Sequence, residues 1–323
     1  MFRVKRMGMV LSVHRYVRIS MHCICYIANE GYLFQTLLSA IQARARTTIS
    51  QCDIIILDMT AQEGRESRII AEICQMESII YAWHDPRLLN GLHISAARLL
   101  LDTMLPPVYT EILYLDGDIQ IVGDLDPLLL LKPGPGRIAG ARDIMVYLEK
   151  LGVPRPEWQA NKTNTGTAYV NAGVLRVNRA EWADIGKAAL DLIEKGGPLS
   201  FFDQDAINKV MGSNIDHVSM AWNFPGFMLN SGIEHKIPPV VVHFMSNPRP
   251  WEGSYLPWGR TWHLPYLELM KRYPALVPYR KKLSPYYFLA YKAKQTIAYV
   301  RDGTWRSSEL ANEIMALEKS VVA

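Results

Sequence analysis

The feature that most constrains the fold is the run 53-DIIILDM-59, whose middle is continuously apolar. A strand that is apolar on both faces must be covered on both, which is typical of a central parallel strand. It lies among alternating strand-like and helix-like segments, and this order predicts an α/β fold with a doubly wound, mostly parallel sheet. The predicted strands are 18–28, 53–59, 78–83 and 112–115, and the predicted helices are 32–45, 63–76 and 94–105.

The pattern changes after 133-PGPGR-137, where the predicted strands become shorter. We expect strands at 138–144, 168–178 and 239–245, helices at 180–195 and 203–211, and a polar loop at 155–166. Neither a GxGxxG turn nor a P-loop occurs in the sequence, so a phosphate group would need another binding device.

Composition excludes two broad classes of protein. Of the 323 residues, 49% are hydrophobic and 20% are charged, which is typical of a globular chain and not of a disordered one. The formal net charge of +4 is too small to indicate nucleic-acid binding, and no nucleic-acid motif occurs. The four cysteines lack metal-type spacing. We expect buried free thiols, as in a reducing compartment, with a redox or metal role as the alternative.

Membrane contact is predicted only at the surface. No segment approaches the roughly 18 apolar residues that cross a bilayer, and the basic N-terminus 1-MFRVKRMGMVLSVHRYVRIS-20 fits a signal peptide poorly. Residues 273–306 combine tyrosines with lysines and arginines and contain almost no acidic side chains. This composition favours peripheral contact with anionic lipids. A solvated helix packed on the core is the alternative.

The stretch 112-ILYLDGDIQI-121 places two carboxylates at the end of an apolar strand. Ligands of open α/β sheets bind beyond the carboxyl ends of the strands. Asp116 and Asp118, at i and i+2, can converge there on one hard cation, with phosphate oxygens of a substrate completing its shell. A turn aspartate beside a surface aspartate is the alternative, and Gly117 is compatible with such a turn.

A second enzyme class also begins with DxD after an apolar strand. The motif of aspartate-nucleophile phosphatases resembles hhhhDxDx[TV], but Gln120 stands at the last position here. That chemistry also needs a lysine and an acidic pair at later strand ends, and the sequence assigns none. The phosphatase is therefore the weaker hypothesis.

Five motifs occur in order: 96-AARLLL-101, 115-LDGDIQIVGDLDPL-128, 170-VNAGVLRVN-178, 203-DQDAIN-208 and 242-VHFMSNPRPW-251. Together they resemble glycosyltransferase family 8, and within it the bacterial α-galactosyl- and α-glucosyltransferases that build lipopolysaccharide. The resemblance implies a GT-A type nucleotide-diphospho-sugar transferase fold and retaining transfer from a UDP-sugar with Mn²⁺, or alternatively Mg²⁺. Residues 1–18 are then an N-terminal extension, 19–262 the catalytic domain, and 263–323 a helical basic and aromatic C-terminal region.

By matching position, the resemblance makes Asp116, Asp118 and His243 the metal ligands. An imidazole beside carboxylates and phosphate oxygens suits Mn²⁺ better than carboxylates alone. Arg249 stands where the family usually has lysine, near the β-phosphate of the leaving UDP, and keeps the positive charge. Ser246 replaces a glycine that is common in the same loop.

Recognition of the donor sugar maps onto other positions. The resemblance implies that Arg98 contacts the donor, that Asp143 hydrogen-bonds the sugar, and that Asn171 and Ala172 line the sugar pocket. A helix-surface arginine is the alternative for Arg98.

Asp203 and Gln204 match the pair nearest the anomeric carbon. Asp203 is expected to bind sugar hydroxyls, and Gln204 to lie on the face where a nucleophile would stand. A covalent route needs a carboxylate at that place. Because an amide is a poor nucleophile, we favour attack from the face of the leaving phosphate. Asp205 is the rival carboxylate, although helical spacing is expected to turn it away.

The uridine site departs most from the family pattern. The family usually has an aspartate after the first strand, whereas 27-IANEGY-32 offers Asn29, whose amide can hydrogen-bond uracil. Ile27 is expected to pack through its backbone and Tyr32 to lie near the base. Gly117 lets the diphosphate approach closely.

The sequence thus predicts a hexosyltransferase that uses UDP-glucose or UDP-galactose and a saccharide or glycolipid acceptor. We expect it in the cytoplasm, at the inner face of a bacterial membrane. A catalytically inactive sugar-nucleotide-binding protein on the same fold is the main alternative. Trp222, Asn223 and Phe224 are candidate acceptor-cleft residues because aromatic faces stack on sugars, with core packing as the alternative.

Overall fold

The computed structural model describes residues 22–48, 52–152, 166–196, 199–281, 283–301 and 306–322. The predicted extension 1–18 and nearly all of the polar loop 155–166 lie outside the described residues. Within these ranges the chain forms a seven-stranded and a three-stranded sheet, and a hydrophobic core lies on each face of the larger sheet.

The larger sheet confirms the predicted α/β fold. In spatial order it contains β3 (Ile80–Trp83), β2 (Asp53–Asp58), β1 (His22–Ala28), β4 (Glu111–Leu115), β7 (Val170–Asn178), β6 (Ile138–Arg142) and β8 (Ile215–Val218). Neighbouring strands are parallel except at β7, which runs antiparallel to β4 and β6. The sheet is therefore mostly parallel, as predicted.

The smaller sheet carries the histidine of the last motif to the aspartate pair. It consists of β5 (Ile119–Ile121), β10 (Val241–His243) and β9 (Phe224–Pro225), with β10 in the middle. The antiparallel register of β10 and β5 places His243 opposite Ile119, the residue after Asp118. The strand predicted at 239–245 is shorter, with only 3 residues.

The helices flank the larger sheet. The α-helices are α1 (Leu33–Ala45), α2 (Arg65–Met76), α3 (Leu101–Met104), α4 (Asp126–Leu130), α5 (Ile144–Lys150), α6 (Arg179–Glu194), α7 (Phe202–Met211), α8 (Gly259–Arg272), α9 (Pro285–Arg301) and α10 (Ser308–Glu318). Short 3₁₀ turns occur at Pro86–Leu89, Ile94–Leu100, Gly166–Ala168, Met220–Asn223, Gly226–Met228, Ile233–His235 and Pro274–Tyr279. The helices predicted at 32–45, 63–76, 180–195 and 203–211 are confirmed as α1, α2, α6 and α7.

The helix predicted at 94–105 is wrong in type. The chain forms a 3₁₀ helix over Ile94–Leu100 and only then the short helix α3. The reason lies in tertiary packing, because the Arg98 carbonyl accepts a hydrogen bond from the indole nitrogen of Trp182 at 2.8 Å. The Trp182 side chain of α6 therefore contacts the backbone of the 94–100 segment.

Strand β1 shows how one segment serves both cores. Ile24 and Tyr26 lie in the core on one face of the larger sheet, whereas Cys23 and Cys25 lie in the core on the other. Successive side chains of a strand point to opposite faces, so this division follows from the pleat. All four cysteines are buried and free, as predicted from their spacing.

The region predicted to begin at 263 is joined to the preceding part of the chain by α8. This helix runs through residue 262, and its Tyr266 and Leu269 are buried in the core that contains Ile24. Helix α10 buries Leu310 and Ile314 in a third cluster. Among the described residues, none of the helices is both long and apolar enough to cross a bilayer.

A glycine in α6 tests how closely this helix packs on the backbone of the 94–100 segment. A Cβ on Gly186 would lie 2.1 Å from the Leu99 carbonyl oxygen. We expect Gly186→Ala to lower the free energy of unfolding by about 1–3 kcal/mol, because overpacking forces the backbone to shift. Urea denaturation measures this change. The matched control is Gly64→Ala, whose Cβ would meet only the Gln62 oxygen at 3.9 Å; equal effects of both would contradict this account.

Candidate active site

The aspartate pair is held by backbone hydrogen bonds on both sides. Asp116 follows β4 directly, and its N–H donates to the Gly173 carbonyl of β7 at 2.8 Å. The Asp118 carbonyl accepts the N–H of Phe244, which follows β10, at 2.9 Å. The two sheets therefore meet at the DxD segment and fix both carboxylates.

Gly117 is required by packing. A Cβ at this position would lie 2.0 Å from the hydroxyl oxygen of Thr36 in α1. That hydroxyl is itself fixed, because it donates to the Tyr32 carbonyl at 2.8 Å. A glycine between the aspartates lets α1 approach the DxD segment closely. This packing requires glycine at position 117 independently of a turn or of a bound diphosphate.

His243 brings a third ligand atom to the carboxylates. Its Nε2 lies 3.0 Å from Asp118 Oδ1 and 3.7 Å from Asp116 Oδ2. One ligand atom from each of the three residues lies within 4.8 Å of the others. A Cβ on Gly173 would lie 2.2 Å from His243 Cε1, so this glycine gives the ring its space.

Two arginines contact the oxygen of each aspartate that does not face His243. Arg98 Nη2 lies 3.0 Å from Asp116 Oδ1, and Arg249 Nη1 lies 2.6 Å from Asp118 Oδ2. Burial raises the pKa of Asp118, but His243 and Arg249 outweigh it and hold this pKa below its usual range. An ionised carboxylate is the form that binds a cation. One oxygen of each aspartate thus faces His243, and this donor set fits a divalent cation with oxygen and nitrogen ligands.

Arg98 connects three parts of the site. Besides Asp116, its guanidinium lies 2.9 Å from Asp203 Oδ2 through Nε and donates through Nη1 to the Ala172 carbonyl at 2.5 Å. Its side chain is buried, which rules out the helix-surface alternative. Burial lowers the pKa of Arg98, but Asp116 and Asp203 raise it above its ordinary value. The arginine is therefore a fixed positive charge between the DxD and DQD motifs.

Gln204 is oriented by three partners. Its Nε2 donates to Asp143 Oδ2 at 3.2 Å and to the Tyr169 hydroxyl at 3.1 Å, and its Oε1 accepts from the Ala172 N–H at 2.9 Å. Asp205 accepts hydrogen bonds from the Tyr169 hydroxyl at 2.5 Å and the Phe201 N–H at 2.9 Å, so it is turned away from the cleft as expected.

A cleft with two lobes opens over these residues. The first lobe, of about 390 Å³, is lined by the end of β1 and the segment after it, the 93–98 segment and the DxD residues, including Ile27, Asn29, Tyr32, Arg98, Asp116, Gly117 and Asp118. The second, of about 350 Å³, is lined by Arg98, Asp116, Asp118, Asn171, Ala172, Asp203, Gln204 and His243 among others. The lobes share the DxD aspartates and Arg98.

Three predicted residues lie outside the lining of both lobes. Asp143 is buried behind Gln204 and Asn171. Arg249 reaches the site through Asp118, and its guanidinium carbon lies 5.6 Å from the ring centroid of Trp251. Ser246 is half-buried in the loop between His243 and Arg249.

Sequence reasoning missed several partners of these residues. The Tyr114 hydroxyl donates to Asp116 Oδ1 at 2.7 Å, and Tyr169 orients Gln204. His93 and Ser95 line both lobes. The position of Tyr114 in β4, two residues before Asp116, is the one available signal, because residues at i and i+2 of an extended chain point to the same side.

The candidate acceptor residues lie in the interior. Trp222 and Phe224 are buried in hydrophobic clusters, which supports the core-packing alternative. Asn223 is buried against His243, with its Oδ1 2.9 Å from the ring Nδ1.

Comparison with known families gives one match over most of the chain. A model described as "Glycosyl transferase family 8" matches residues 23–254. The glycosyltransferase GlyE of Streptococcus pneumoniae serotype 4 is 27% identical over 174 residues, which are 49% of this chain and 37% of GlyE. The lipopolysaccharide glucosyltransferase WaaO of Escherichia coli K12 is 26% identical over 157 residues, 44% of each chain. The chain thus spans less than half the length of these curated relatives.

Solved structures extend the match to the fold. The galactosyltransferase LgtC, in complex with donor and acceptor sugar analogues, has a TM-score of 0.62 at 20% identity, over 76% of this chain and 95% of that one. The bifunctional glycosyltransferase WbbM has a TM-score of 0.64 at 17% identity, over 79% of this chain and 50% of that one. At such identities the likeness concerns the fold, and it confirms the predicted GT-A type.

The space at Gly173 allows a direct test of the ligand cluster. We expect Gly173→Ala to weaken Mn²⁺ binding about 10- to 100-fold, because the new methyl group pushes the His243 ring away from Asp118. Isothermal titration calorimetry measures the affinity, and circular dichroism reports folding. Gly140→Ala in β6 is the matched control, since the nearest atom to its Cβ would be a Leu175 methyl carbon at 3.3 Å, far from the ligand cluster. Unchanged affinity in folded Gly173→Ala would remove His243 from the ligand set.

Proposed function

The chain belongs to glycosyltransferase family 8, and we propose that it transfers glucose or galactose from a UDP-sugar to a saccharide or glycolipid acceptor with retention of configuration. The acceptor belongs to lipopolysaccharide or a related glycan. One observation carries this proposal: Asp116, Asp118 and His243 each offer a ligand atom within 4.8 Å of the others, where the two lobes of the cleft join. A nucleotide in one lobe and a sugar in the other would have their diphosphate at this junction.

In this proposal Asp116, Asp118 and His243 hold Mn²⁺, with Mg²⁺ as the alternative. When bound, the cation acts as a Lewis acid that neutralises the negative charge gained by the leaving UDP. Arg249, whose guanidinium contacts Asp118, adds a second positive charge beside the same place. A bidentate guanidinium is well suited to phosphate oxygens.

The first lobe suits the nucleotide. It is lined by Ile27 near the end of β1 and by Asn29 and Tyr32 after it, at the carboxyl end of a parallel strand. Asn29 can both donate to and accept from uracil, which an aspartate cannot do. We therefore assign this lobe to uridine, with Gly117 on the side of the diphosphate.

The second lobe suits the sugar. Asp203 Oδ2 lies 2.9 Å from Arg98 Nε but accepts no directed hydrogen bond within the described ranges. Burial raises the pKa of Asp203, and Arg98 opposes that shift. A buried acceptor with unused capacity can bind a sugar hydroxyl. Asn171 and Ala172, at the start of β7, line the same lobe.

The groups near the expected anomeric carbon favour front-face attack. Gln204 presents an amide there, and its position is set by Asp143 and Ala172. Asp203 is paired with Arg98, and Asp205 is turned away by Tyr169. A retaining enzyme with a covalent intermediate needs a free carboxylate at this place. We therefore propose that the leaving phosphate accepts the acceptor's proton while Gln204 stabilises the developing positive charge.

The alternatives predict different contacts. A phosphatase is disfavoured because the Gln120 amide, at its signature position, is buried and donates to the Trp262 carbonyl at 2.7 Å. A catalytically inactive sugar-nucleotide-binding protein is disfavoured by the intact aspartate pair, His243 and Gln204 around one cleft.

Donor turnover tests the proposal. We expect UDP release from UDP-glucose or UDP-galactose with Mn²⁺ and its loss with EDTA, because the leaving group needs the cation. Asp118→Asn should reduce release to the EDTA background while the protein stays folded. Asp124→Asn is the matched control, since Asp124 is exposed and caps the Asp126 N–H at 3.0 Å. UDP binding without metal-dependent release, across varied acceptors, would favour the inactive alternative.

We further propose that α9 lies on an anionic membrane surface. Its outward face carries an apolar stripe at helical spacing. The exposed fractions are 75% for Tyr286, 65% for Leu289, 61% for Ile297 and 72% for Val300. Tyr287, Lys292 and Lys294 are also exposed on this helix. Its opposite face packs inward, with Phe288 5.5 Å from the Tyr255 ring centroid. Apolar stripes near lysines are typical of helices that lie in the membrane interface.

Vesicle binding tests this surface separately from catalysis. The double variant Leu289→Glu and Ile297→Glu should lose binding to phosphatidylglycerol vesicles, because it places carboxylates in the apolar stripe. UDP release in solution should remain. The control is Leu130→Glu, because Leu130 in α4 is 57% exposed and lies outside α9. Equal sedimentation of both variants with vesicles would exclude α9 as the contact.

A further inference from the structure

We propose that Asn223 is a positioning residue that determines which ring nitrogen of His243 faces the carboxylates. The proposal rests on the ligand role given to His243 above, but the hydrogen-bond pattern behind it does not depend on a metal. Asn223 ends a 3₁₀ turn just before β9, and β9 pairs with the strand that carries His243. Asn223 and His243 are both buried, so bulk water cannot replace their contact.

The pattern starts at Asp143, whose two carboxylate oxygens accept hydrogen bonds from three N–H donors. Its Oδ2 accepts from Asn171 Nδ2 at 2.9 Å and from Gln204 Nε2 at 3.2 Å. Its Oδ1 accepts from the Met145 N–H at 3.0 Å, as the N-cap of α5. The amide of Asn171 must therefore present its nitrogen to Asp143 and its oxygen to the other side.

The next link is the Asn171 oxygen. It accepts from the Gly173 N–H at 3.0 Å and from Asn223 Nδ2 at 2.9 Å. The Gly173 N–H can only donate, so it confirms the orientation imposed by Asp143. Because the side-chain nitrogen of Asn223 donates to Asn171, the side-chain oxygen of Asn223 must face His243.

The last link reaches the ring. Asn223 Oδ1 lies 2.9 Å from His243 Nδ1, and a carbonyl oxygen only accepts, so Nδ1 must carry a hydrogen. Nε2 is then the nitrogen that is offered to a cation beside Asp116 and Asp118. Partners of this kind are known to set the orientation of metal-bound histidines.

One buried carboxylate therefore orients two distant parts of the site. Through Asn171 and Asn223, Asp143 determines the presentation of His243, and it contacts Gln204 directly. This role is additional to the sugar contact expected for Asp143, and it gives Asn223 a role other than acceptor binding.

Metal affinity with two substitutions tests the proposal. Asn223→Ala should weaken binding of Mn²⁺ alone about 10- to 100-fold, the usual effect of losing a partner of a metal-bound histidine. Asn223→Asp should retain most of the affinity, because its carboxylate still accepts from Nδ1–H although it cannot donate to Asn171. If the role were only packing, the buried charge would make Asn223→Asp at least as harmful as Asn223→Ala, and that result would overturn the proposal.

A control variant and a measurement without metal distinguish the proposed role of Asn223 from the proposed metal-dependent function. Asn178→Ala, which removes the cap contact to the Ala180 N–H at 2.9 Å, should lower stability without changing Mn²⁺ affinity.

In metal-free protein, ¹⁵N NMR should detect a His243 Nδ1–H protected from exchange, and Asn223→Ala should lose that protection. A wild-type ring without hydrogen at Nδ1 refutes the inference. Absence of Mn²⁺ binding in the wild type refutes the proposed metal role, and the NMR result still decides the orientation.

Discussion

The site depends on the antiparallel pairing of β7 with β4. In a wholly parallel sheet, the end of β4 would lie beside the end of its neighbour. Here β7 runs in the opposite direction, with Leu115 opposite Val174, so the first residues of β7 extend beyond the end of β4. Asp116 therefore donates to Gly173, and Asn171 and Ala172, near the start of β7, line the second lobe of the cleft. The contribution of β7 to the second lobe follows from this one reversal of strand direction.

Charge balance is the second requirement, because the buried carboxylates of Asp118 and Asp203 lie close to the half-buried carboxylate of Asp116. An unpaired buried charge costs several kcal/mol, so a cluster of this kind needs cations beside it. Arg98 compensates Asp116 and Asp203, and Arg249 compensates Asp118. Each aspartate near His243 still turns one oxygen towards the ring. The arginines thus stabilise the acidic cluster and leave a set of ligand atoms for the proposed metal.

Prediction from the sequence succeeded where side-chain patterns are local. The apolar run at 53–59 and the helical spacing at 32–45 and 63–76 correspond to β2, α1 and α2, because burial on a strand or helix repeats with a short period. The helix expected at 94–105 failed, since Trp182 bonds the Arg98 carbonyl from a distant helix. The same limit applies to the site. Asp116, Asp118 and His243 stand in recognisable motifs, whereas Tyr169 and Asn223 act through contacts between remote segments.

The sequence by itself determined the strand–helix order, the apolar strand that ends in two carboxylates, and the family to which the motifs belong. Only the tertiary structure decided the direction of β7, the register that carries His243 to Asp118, and the burial of Arg98 between two carboxylates. The physical reason is that local patterns report which face of an element is buried. They do not report which distant hydrogen-bond partner, such as Asn223 for His243, satisfies a buried polar group.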